Sequence, residues 1–350
     1  MTVLDDPAVL RDRDPGKMLD AVAGLAGHCE RGYRAGLEAA ELPEAEGASS
    51  MVFCGMGGSA VGGDVVRALY LPRLGLPIEV ARSPVLPEFC ETQTLVICSS
   101  YSGNTAETLA SFDEAVRRGC RVVAVTSGGE MAARAKAAGV PVVPVPAGFQ
   151  PRAALGFLTM GVLGALEAIG VVPRLAPEVD ETVRILTALA GGLGPDTPGN
   201  PAKELALRIG ERTPVIWGAD GIGAVAAMRW KTQMNENGKV PAWWSAMSEL
   251  DHNEIAAWAG RAGERYFVVV LRHEGEDLSI SPRFPLSVDL AKDSGLAVEE
   301  VRARGDSALG RFFSLVTVGD FTSVYVALAR GVDPTPVDVI ERLKRELAGG

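Results

Sequence analysis

The chain has 350 residues, of which 47% are hydrophobic, so it can bury a large core, and its length favours two domains. Its formal net charge of −10, without a basic stripe that carries interleaved aromatic residues, argues against non-specific nucleic-acid binding. The five cysteines are scattered without a CxxC pair, the N-terminus is charged, and the longest apolar stretch, residues 153–166, is too short to span a bilayer. We therefore expect a cytoplasmic protein in a reducing environment, with no nucleic-acid or membrane partner.

The first 150 residues are predicted to form a helical segment followed by a parallel sheet. Alanine and leucine recur at helical spacing from about residue 15 to 41, which places an N-terminal helical segment in residues 1–45. In residues 46–150, stretches of helical period alternate with apolar runs rich in β-branched residues, namely MVFCG, PIEVA, TLVICSS, RVVAVTS and PVVPVP. Strands that alternate with helices predict a first domain built on a doubly wound sheet.

The rest of the chain is predicted to repeat this organisation after a helical connection. Residues 151–210 are mostly of helical period, and in residues 211–350 the strand-like runs TPVIWGAD, YFVVVLR and LAVEEVR alternate with helices. The segments VFCGMGGSAVGGDVVRALY and VIWGADGIGAVAAMRWKTQ both read as strand, glycine turn and helix, which indicates a divergent duplication. The predicted fold class is therefore α/β, with two doubly wound, flavodoxin-like parallel-sheet subdomains and flanking N-terminal, linking and C-terminal helices.

Two loops after predicted strands have the pattern of a phosphate site. A glycine-rich turn with a single serine follows MVFC, and three hydroxyl groups surround the start of the helix after TLVICS. Hydroxyl groups and the free N–H groups of a helix N-terminus suit a phosphate dianion. The second glycine turn lacks a serine, so only the first is expected to bind phosphate. The candidate ligands are Gly57, Gly58, Ser59, Ser100, Ser102 and Thr105.

Other interpretations of the two loops stay open. Gly55, Gly57 and Ala60 satisfy a dinucleotide fingerprint, with Glu79 near the expected ribose-binding position. The serine and asparagine side chains of the second loop can also serve merely as helix caps. Taken together, the two loops favour a terminal phosphate over a pyrophosphate.

The order of four motifs resembles a known family. GGS followed by SYSGNT is similar to the sugar isomerase (SIS) domain, which binds phosphosugars. With QPRAALGF, NENGKVPAWWSAMSELDHNEI and DPTPVDVIERLK, the chain resembles the bifunctional phosphoglucose/phosphomannose isomerases of the phosphoglucose isomerase superfamily. The resemblance implies an aldose–ketose isomerase that interconverts glucose 6-phosphate, mannose 6-phosphate or both with fructose 6-phosphate through an enediolate, without cofactor or metal. Ser248 and Asp251 depart from the family pattern, in which proline and asparagine are usual.

Such an isomerisation needs a base, a group that opens the sugar ring and a group that stabilises the enediolate. The resemblance implies that Glu236 is the base and that Arg152 stabilises the enediolate. His252 would open the ring from the neighbouring subunit of a two-fold homodimer, and Lys344 would share that role. Thr335 is a candidate contact for the substrate.

The residues alone leave simpler interpretations of these side chains. Glu236 and Lys344 can be solvated helix charges, and Arg152 can extend from a helix end into solvent. His252 can be structural, although nearby carboxylates in ELDHNE can hold its tautomer. The adjacent residues 243 and 244, both tryptophan, are expected in the core unless they line a pocket or a dimer interface. The alternative function is a non-catalytic phosphosugar-binding regulator, which would keep the serines without needing the base or the histidine.

Overall fold

A computed structural model describes residues 2–259, 263 and 265–348 of the chain. The N-terminal segment consists of three short helices: α1 (Pro7–Arg13), α2 (Met18–Ala23) and α3 (Leu25–Leu37). The Asp14 carboxylate accepts hydrogen bonds from the backbone N–H groups of Met18 and Leu19, both at 2.8 Å, and so begins α2.

The first sheet has five parallel strands, as the alternating pattern predicts. They are β1 (Ser50–Cys54), β2 (Ile78–Ala81), β3 (Thr94–Ser100), β4 (Arg121–Thr126) and β5 (Val142–Pro144), in the order β2-β1-β3-β4-β5. The helices between them are α4 (Gly58–Tyr70), α5 (Ala106–Arg117) and α6 (Gly129–Ala138). This is the flavodoxin-like order, and its switch point between β1 and β3 brings the loops after these two strands side by side.

Three helices connect the two sheets: α7 (Leu155–Ala168), α8 (Ala176–Leu193) and α9 (Pro201–Ile209). A 3-10 turn over Pro151–Ala154 precedes α7. The predicted core helix in this region is confirmed, because α7 is buried over Leu155–Leu166. Its close contact with α3 requires glycine, since a Cβ atom on Gly36 would lie 2.1 Å from the carbonyl oxygen of Gly161.

The second sheet has four described strands, also parallel. They are β6 (Thr213–Gly218), β7 (Trp243–Ala246), β8 (Tyr266–Arg272) and β9 (Ala297–Arg302), in the order β7-β6-β8-β9. The helices of this half are α10 (Ile222–Glu236), α11 (Met247–Leu250), α12 (Glu254–Ala257) and α13 (Arg283–Asp293). The strand β7 was not predicted. The expectation that its tryptophans pack in the core is wrong, because Trp243 is 54% and Trp244 is 37% exposed on this edge strand.

The chain ends in α14 (Ala308–Ala329) and α15 (Asp338–Ala348). Within the described part of the chain, α14 is the one helix long and apolar enough to cross a membrane, but 89% of its apolar window is buried inside the protein. It packs against α8, α9 and α10 as a central core helix. By contrast, the described side chains of α15 are exposed, including its apolar ones.

Candidate active site

The loops after β1 and β3 meet at the carboxyl edge of the first sheet. The two strands are neighbours, with Cys54 opposite Cys98 in the register, so both loops begin at the same level. Gly57 adopts a positive φ of 52° in the turn, a conformation that glycine tolerates, and α4 begins at the next residue. The Ser59 hydroxyl accepts a hydrogen bond from the backbone N–H of Tyr101 at 3.1 Å. This bond joins the two predicted phosphate loops.

The hydroxyl groups of the second loop form their own short network. The hydroxyl groups of Ser100 and Thr105 lie 3.0 Å apart, and Ser100 also accepts from the backbone N–H of Gly103 at 3.1 Å. Ser102 is exposed, Thr105 is half-buried and Ser100 is buried. Ser102 and Thr105 therefore face outward, and Ser100 supports Thr105 through their hydrogen bond.

The two alternative interpretations of these loops fit the geometry poorly. Thr105 occupies the N-cap position of α5, yet no side-chain hydrogen bond caps this described helix, so the interpretation of the loop side chains as caps of α5 is wrong. Asn104 instead accepts a hydrogen bond at 3.0 Å from the backbone N–H of Glu130, in the first turn of α6. Glu79 is the second residue of β2, where it pairs with Val52 of β1. It therefore lies before the carboxyl end of the strand, which is where a ribose-binding acid belongs.

Arg152 lies beside the first phosphate loop and is fixed in place. A Cβ atom on Gly58 would lie 3.8 Å from the Arg152 Cα atom, so the loop and the 3-10 turn are in contact. The guanidinium is 2% exposed, and it donates to Asn237 Oδ1 at 2.6 Å and to the carbonyl oxygens of Pro334 and Thr335 at 2.9 and 2.7 Å. Burial lowers its pKa from the ordinary value, and the nearby Glu236 carboxylate opposes that shift. The interpretation of Arg152 as a solvent-facing helix-end charge is therefore wrong.

Glu236 is the last residue of α10 and lies next to this guanidinium. Its Oε2 atom is 3.7 Å from Arg152 Nη1, and its side chain is 32% exposed. It opens into a cleft of about 520 Å³. The cleft is lined by Asn235, Glu236, Lys239, Val332, Asp333, Pro336, Val337, Asp338, Val339 and Ile340. A carboxylate in a cleft beside a fixed cation has the arrangement of a base that can act on a bound anion.

A buried network that the sequence analysis did not identify supports Arg152 from behind. Arg229 on α10 donates to the Arg152 carbonyl oxygen at 2.7 Å and to both oxygens of Asp320 on α14, at 3.2 and 2.8 Å. Asn237 donates to Ser323 Oγ at 3.1 Å and so joins α14 to the Arg152 guanidinium. Burial raises the pKa of Asp320, and the Arg229 guanidinium opposes that rise. The signal in the sequence is a single acidic residue inside the long apolar segment of α14.

Lys239 is a second cation at the cleft that the sequence analysis did not identify. Its backbone has a positive φ of 53°, which turns the chain after α10. Its ammonium group donates to the carbonyl oxygens of Glu236, Pro334 and Pro336. Burial lowers its pKa, and the charge of Arg152 lowers it further. Lys239 therefore ties the end of α10 to the segment that precedes α15.

His252 lies at the opposite end of α10 from Glu236. Ser248, four residues before His252, donates to Asp220, which stands immediately before α10. From Ile222 to Glu236 the helix rises about 21 Å at about 1.5 Å per residue. The structure therefore brings the phosphate loops, Arg152 and Glu236 together, and leaves the exposed His252 of the same chain far from them.

The carboxylates around His252 are bound to other groups, contrary to the expectation that they hold its tautomer. Glu249 accepts from Asn253, and Glu254 accepts from Trp217 Nε1 at 3.0 Å. Asp251 accepts from Ser287 at 2.8 Å and lies 3.6 Å from Arg283 on α13. Both departures from the family pattern, Ser248 and Asp251, thus anchor this segment to its own domain.

The other two candidate residues lie at the C-terminal side of the cleft. Lys344 is on the exposed helix α15, one turn beyond Ile340, which lines the cleft. The Thr335 hydroxyl is buried without a hydrogen-bond partner among the described residues. A Cβ atom on Gly16 would meet it at 2.2 Å, so the hydroxyl is covered by the N-terminal segment and only the Thr335 carbonyl group takes part, as an acceptor for Arg152.

The two parallel sheets and the paired serine-bearing loops define the class, an SIS-domain protein. A model of the bacterial phospho-glucose isomerase C-terminal SIS domain matches residues 199–347. The chain is also similar over 99% of its length to a crystal structure of a glucose-6-phosphate isomerase like protein from Thermus thermophilus, covering 99% of that chain, with a TM-score of 0.65 and 19% identity. At this identity the likeness concerns the fold.

Full-length relatives define the family more closely. A bifunctional phosphoglucose/phosphomannose isomerase of Caldicellulosiruptor bescii is 37% identical over 338 residues, which cover 95% of this chain and 99% of the relative. A protein of the same name from Aquifex aeolicus is 38% identical over 302 residues, or 85% of this chain and 90% of the relative. The chain belongs to the family of bifunctional phosphoglucose/phosphomannose isomerases.

Proposed function

We propose that this protein is an aldose–ketose isomerase that interconverts glucose 6-phosphate and mannose 6-phosphate with fructose 6-phosphate. The observation that carries the proposal is the Arg152–Glu236 pair, in which a carboxylate that opens into a cleft lies 3.7 Å from a buried guanidinium. Arg152 in turn contacts the first of the two joined hydroxyl-bearing loops. The names of the relatives support the same substrates.

The phosphate group binds at the two loops in this proposal. The hydroxyl groups of Ser59, Ser102 and Thr105 and the free N–H groups at the start of α5 supply neutral donors. Since the phosphate does not react, these contacts hold the sugar chain so that its C1 and C2 atoms extend toward Arg152 and Glu236. A protein with a net charge of −10 needs such local donors to bind an anion.

Glu236 moves the proton between C1 and C2. It removes the proton from one carbon, and the enediolate that forms is protonated on the other carbon. The Nε and Nη2 atoms of Arg152 are bound to Asn237, Pro334 and Thr335 at 2.6–2.9 Å, whereas Nη1 makes only a long hydrogen bond of 3.4 Å to Gln150 Oε1 and lies 3.7 Å from Glu236. In this proposal Nη1 exchanges that long bond for the reacting oxygen. Its charge stabilises the enediolate. Glucose 6-phosphate and mannose 6-phosphate differ only at C2 and give the same enediol, so one base serves both.

Ring opening is proposed to require a second subunit. His252 would exchange protons between the ring oxygen and the C1 hydroxyl, and in one chain it belongs to the segment at the end of α10 opposite Glu236, a helix that rises about 21 Å. A two-fold homodimer solves this separation, because it gives each Glu236 the partner's histidine and creates two identical composite sites. Lys344, on the helix that starts at the cleft, would assist.

The chemistry that we propose needs no cofactor or metal, since proton transfer and charge stabilisation are supplied by side chains. We further propose a cytoplasmic protein without nucleic-acid or membrane partners. The alternative, a regulator that binds phosphosugars without reacting, would not need the buried Arg229–Asp320 pair behind Arg152 or a carboxylate in the cleft.

The test is a coupled assay of purified protein with each aldose 6-phosphate, run with and without EDTA. We expect fructose 6-phosphate to form from both substrates, at rates that EDTA leaves unchanged. Binding of fructose 6-phosphate without turnover of either aldose would refute the isomerase and favour the regulator. Loss of activity in EDTA that zinc or magnesium restores would refute only the absence of a metal requirement.

A further inference from the structure

Helix α15 carries an apolar stripe that no described part of its own chain covers. Val339, Ile340, Leu343 and Leu347 are 83%, 41%, 57% and 74% exposed. At about 100° per residue the last three fall on one face of the helix, and Lys344 lies at the border of that face. An isolated helix of 11 residues is marginal in water, so its stability depends on a surface that the stripe contacts.

A second apolar surface, open among the described residues, lies along the edge of the second sheet. A groove of about 380 Å³ is lined chiefly by aromatic residues, namely Trp243 and Trp244 of β7, Trp258 directly after α12 and Tyr266 at the start of β8. Trp243 and Trp244 are exposed at an edge strand, where large side chains of this kind mark an interaction surface. The described α15 lines no part of this groove.

We infer that α15 of one protomer packs its apolar stripe into the β7 groove of a second copy of this chain. The inference rests on the proposed two-subunit site and specifies its interface. Two features join the surfaces to that site: the first turn of α15 lines the Glu236 cleft, and Ala257, five residues after His252, lines the groove.

The exchange of helices explains how a site divided between chains is assembled. When α15 occupies the partner's groove, the segment with the partner's copy of the histidine is held against the helix that starts at the cleft. Lys344, at the border of the stripe, is then placed at the same junction. In a two-fold dimer each chain gives one helix and receives one, so the contact occurs twice and closes. Amphipathic helices bind apolar grooves in this way in other assemblies.

A disulfide experiment tests the contact directly. One chain carries L343C and a separately tagged chain carries W244C, and the two are unfolded, refolded together and treated with oxidised glutathione. We expect a covalent dimer that contains both tags, seen on a non-reducing gel, and none from either variant alone. The matched control replaces L343C with V85C, at a residue that is 71% exposed on the loop after β2, and should give no mixed dimer.

Sedimentation of L343E gives a second measurement. L343E removes one buried leucine from each contact and places a charge there, so the dissociation constant of the dimer should rise at least about 10-fold, while V85E should leave it unchanged. Because residue 343 is exposed in the single chain, the thermal melting of the protomer should be preserved.

The inference is overturned if L343E remains as dimeric as V85E and the mixed disulfide does not form. It is also overturned if a chain with both L343C and W244C forms the disulfide within a monomer. These results are distinct from failure of the proposed function. An active dimer without the helix–groove contact refutes only the inference, and an inactive dimer with the contact refutes only the function.

Discussion

Replacing the carboxylate of Glu236 by an amide tests the base directly. In E236Q the side chain keeps its size, and Arg152 keeps its hydrogen bonds to Asn237, Pro334 and Thr335, so the cleft should keep its shape. The variant loses the base and an ion pair of 3.7 Å, while the buried Arg152 guanidinium keeps its neutral hydrogen-bond acceptors, so the protein should remain folded. Turnover should fall at least about 100-fold, the lower range for loss of a general base.

Two measurements separate chemistry from binding in this variant. Deuterium incorporation from heavy water into fructose 6-phosphate reports proton transfer itself, and it should fall with turnover. Calorimetry should give nearly unchanged fructose 6-phosphate affinity. The matched control is E30Q, which removes an ion pair of 3.6 Å between Glu30 and Arg34 on α3, outside the cleft, and should leave both readouts unchanged. Wild-type exchange in a folded E236Q protein would refute the assignment of the base.

Further predictions concern the phosphate loop, the buried network and an internal histidine. T105V removes a hydrogen bond to the charged phosphate, which is worth about 1.5–3 kcal/mol, so KM should rise at least about 10-fold with little change in kcat. Inorganic phosphate should also inhibit the variant less than the wild type. Equal phosphate inhibition of the two proteins would place the anion elsewhere. D320A leaves the buried Arg229 charge without its partner and should lower the free energy of unfolding by about 3–5 kcal/mol in urea titrations, whereas a loss under about 1 kcal/mol contradicts the network. His28 is buried against Phe157, with ring centroids 4.5 Å apart, and burial lowers its pKa to about 4. Because the unfolded chain binds this proton near pH 6.5, about 3 kcal/mol of stability should be present above pH 6.5 and lost as the pH falls to 4. In H28F that part of the pH dependence should disappear, and an unchanged profile refutes the assignment.

The sequence predicts the first sheet well because its signals are local. The strands β1 and β3 are apolar runs bounded by glycine or serine, and parallel pairing then places Ser59 and Ser102 at one edge. Strand β7 is not predicted because it is a short edge strand of four residues that begins with two exposed tryptophans. Such a segment shows neither the alternating nor the continuous apolar pattern that indicates a strand.

The candidate site is only partly predictable, since some of its contacts join residues far apart in the chain. Arg152 stands out as a charge at the start of an apolar helix. Asp320 gives the same kind of signal in α14, but its partner Arg229 is 91 residues away. The role of Lys239 depends on carbonyl groups up to 97 residues away, for which no local pattern exists. The short spacing between Glu236 and His252 is misleading, because the chain runs along β7 to the other end of α10 in between.

Subunit mixing tests the central claim, a composite isomerase site, most directly. E236Q and H252A chains, each inactive alone, are unfolded, refolded together and assayed for fructose 6-phosphate formation. With random pairing about half of the dimers are hybrids, and each hybrid holds one intact site and one doubly defective site. About a quarter of wild-type activity per site should therefore return. If the mixed dimers are well folded and no activity returns, base and histidine act within one chain and the composite site is wrong.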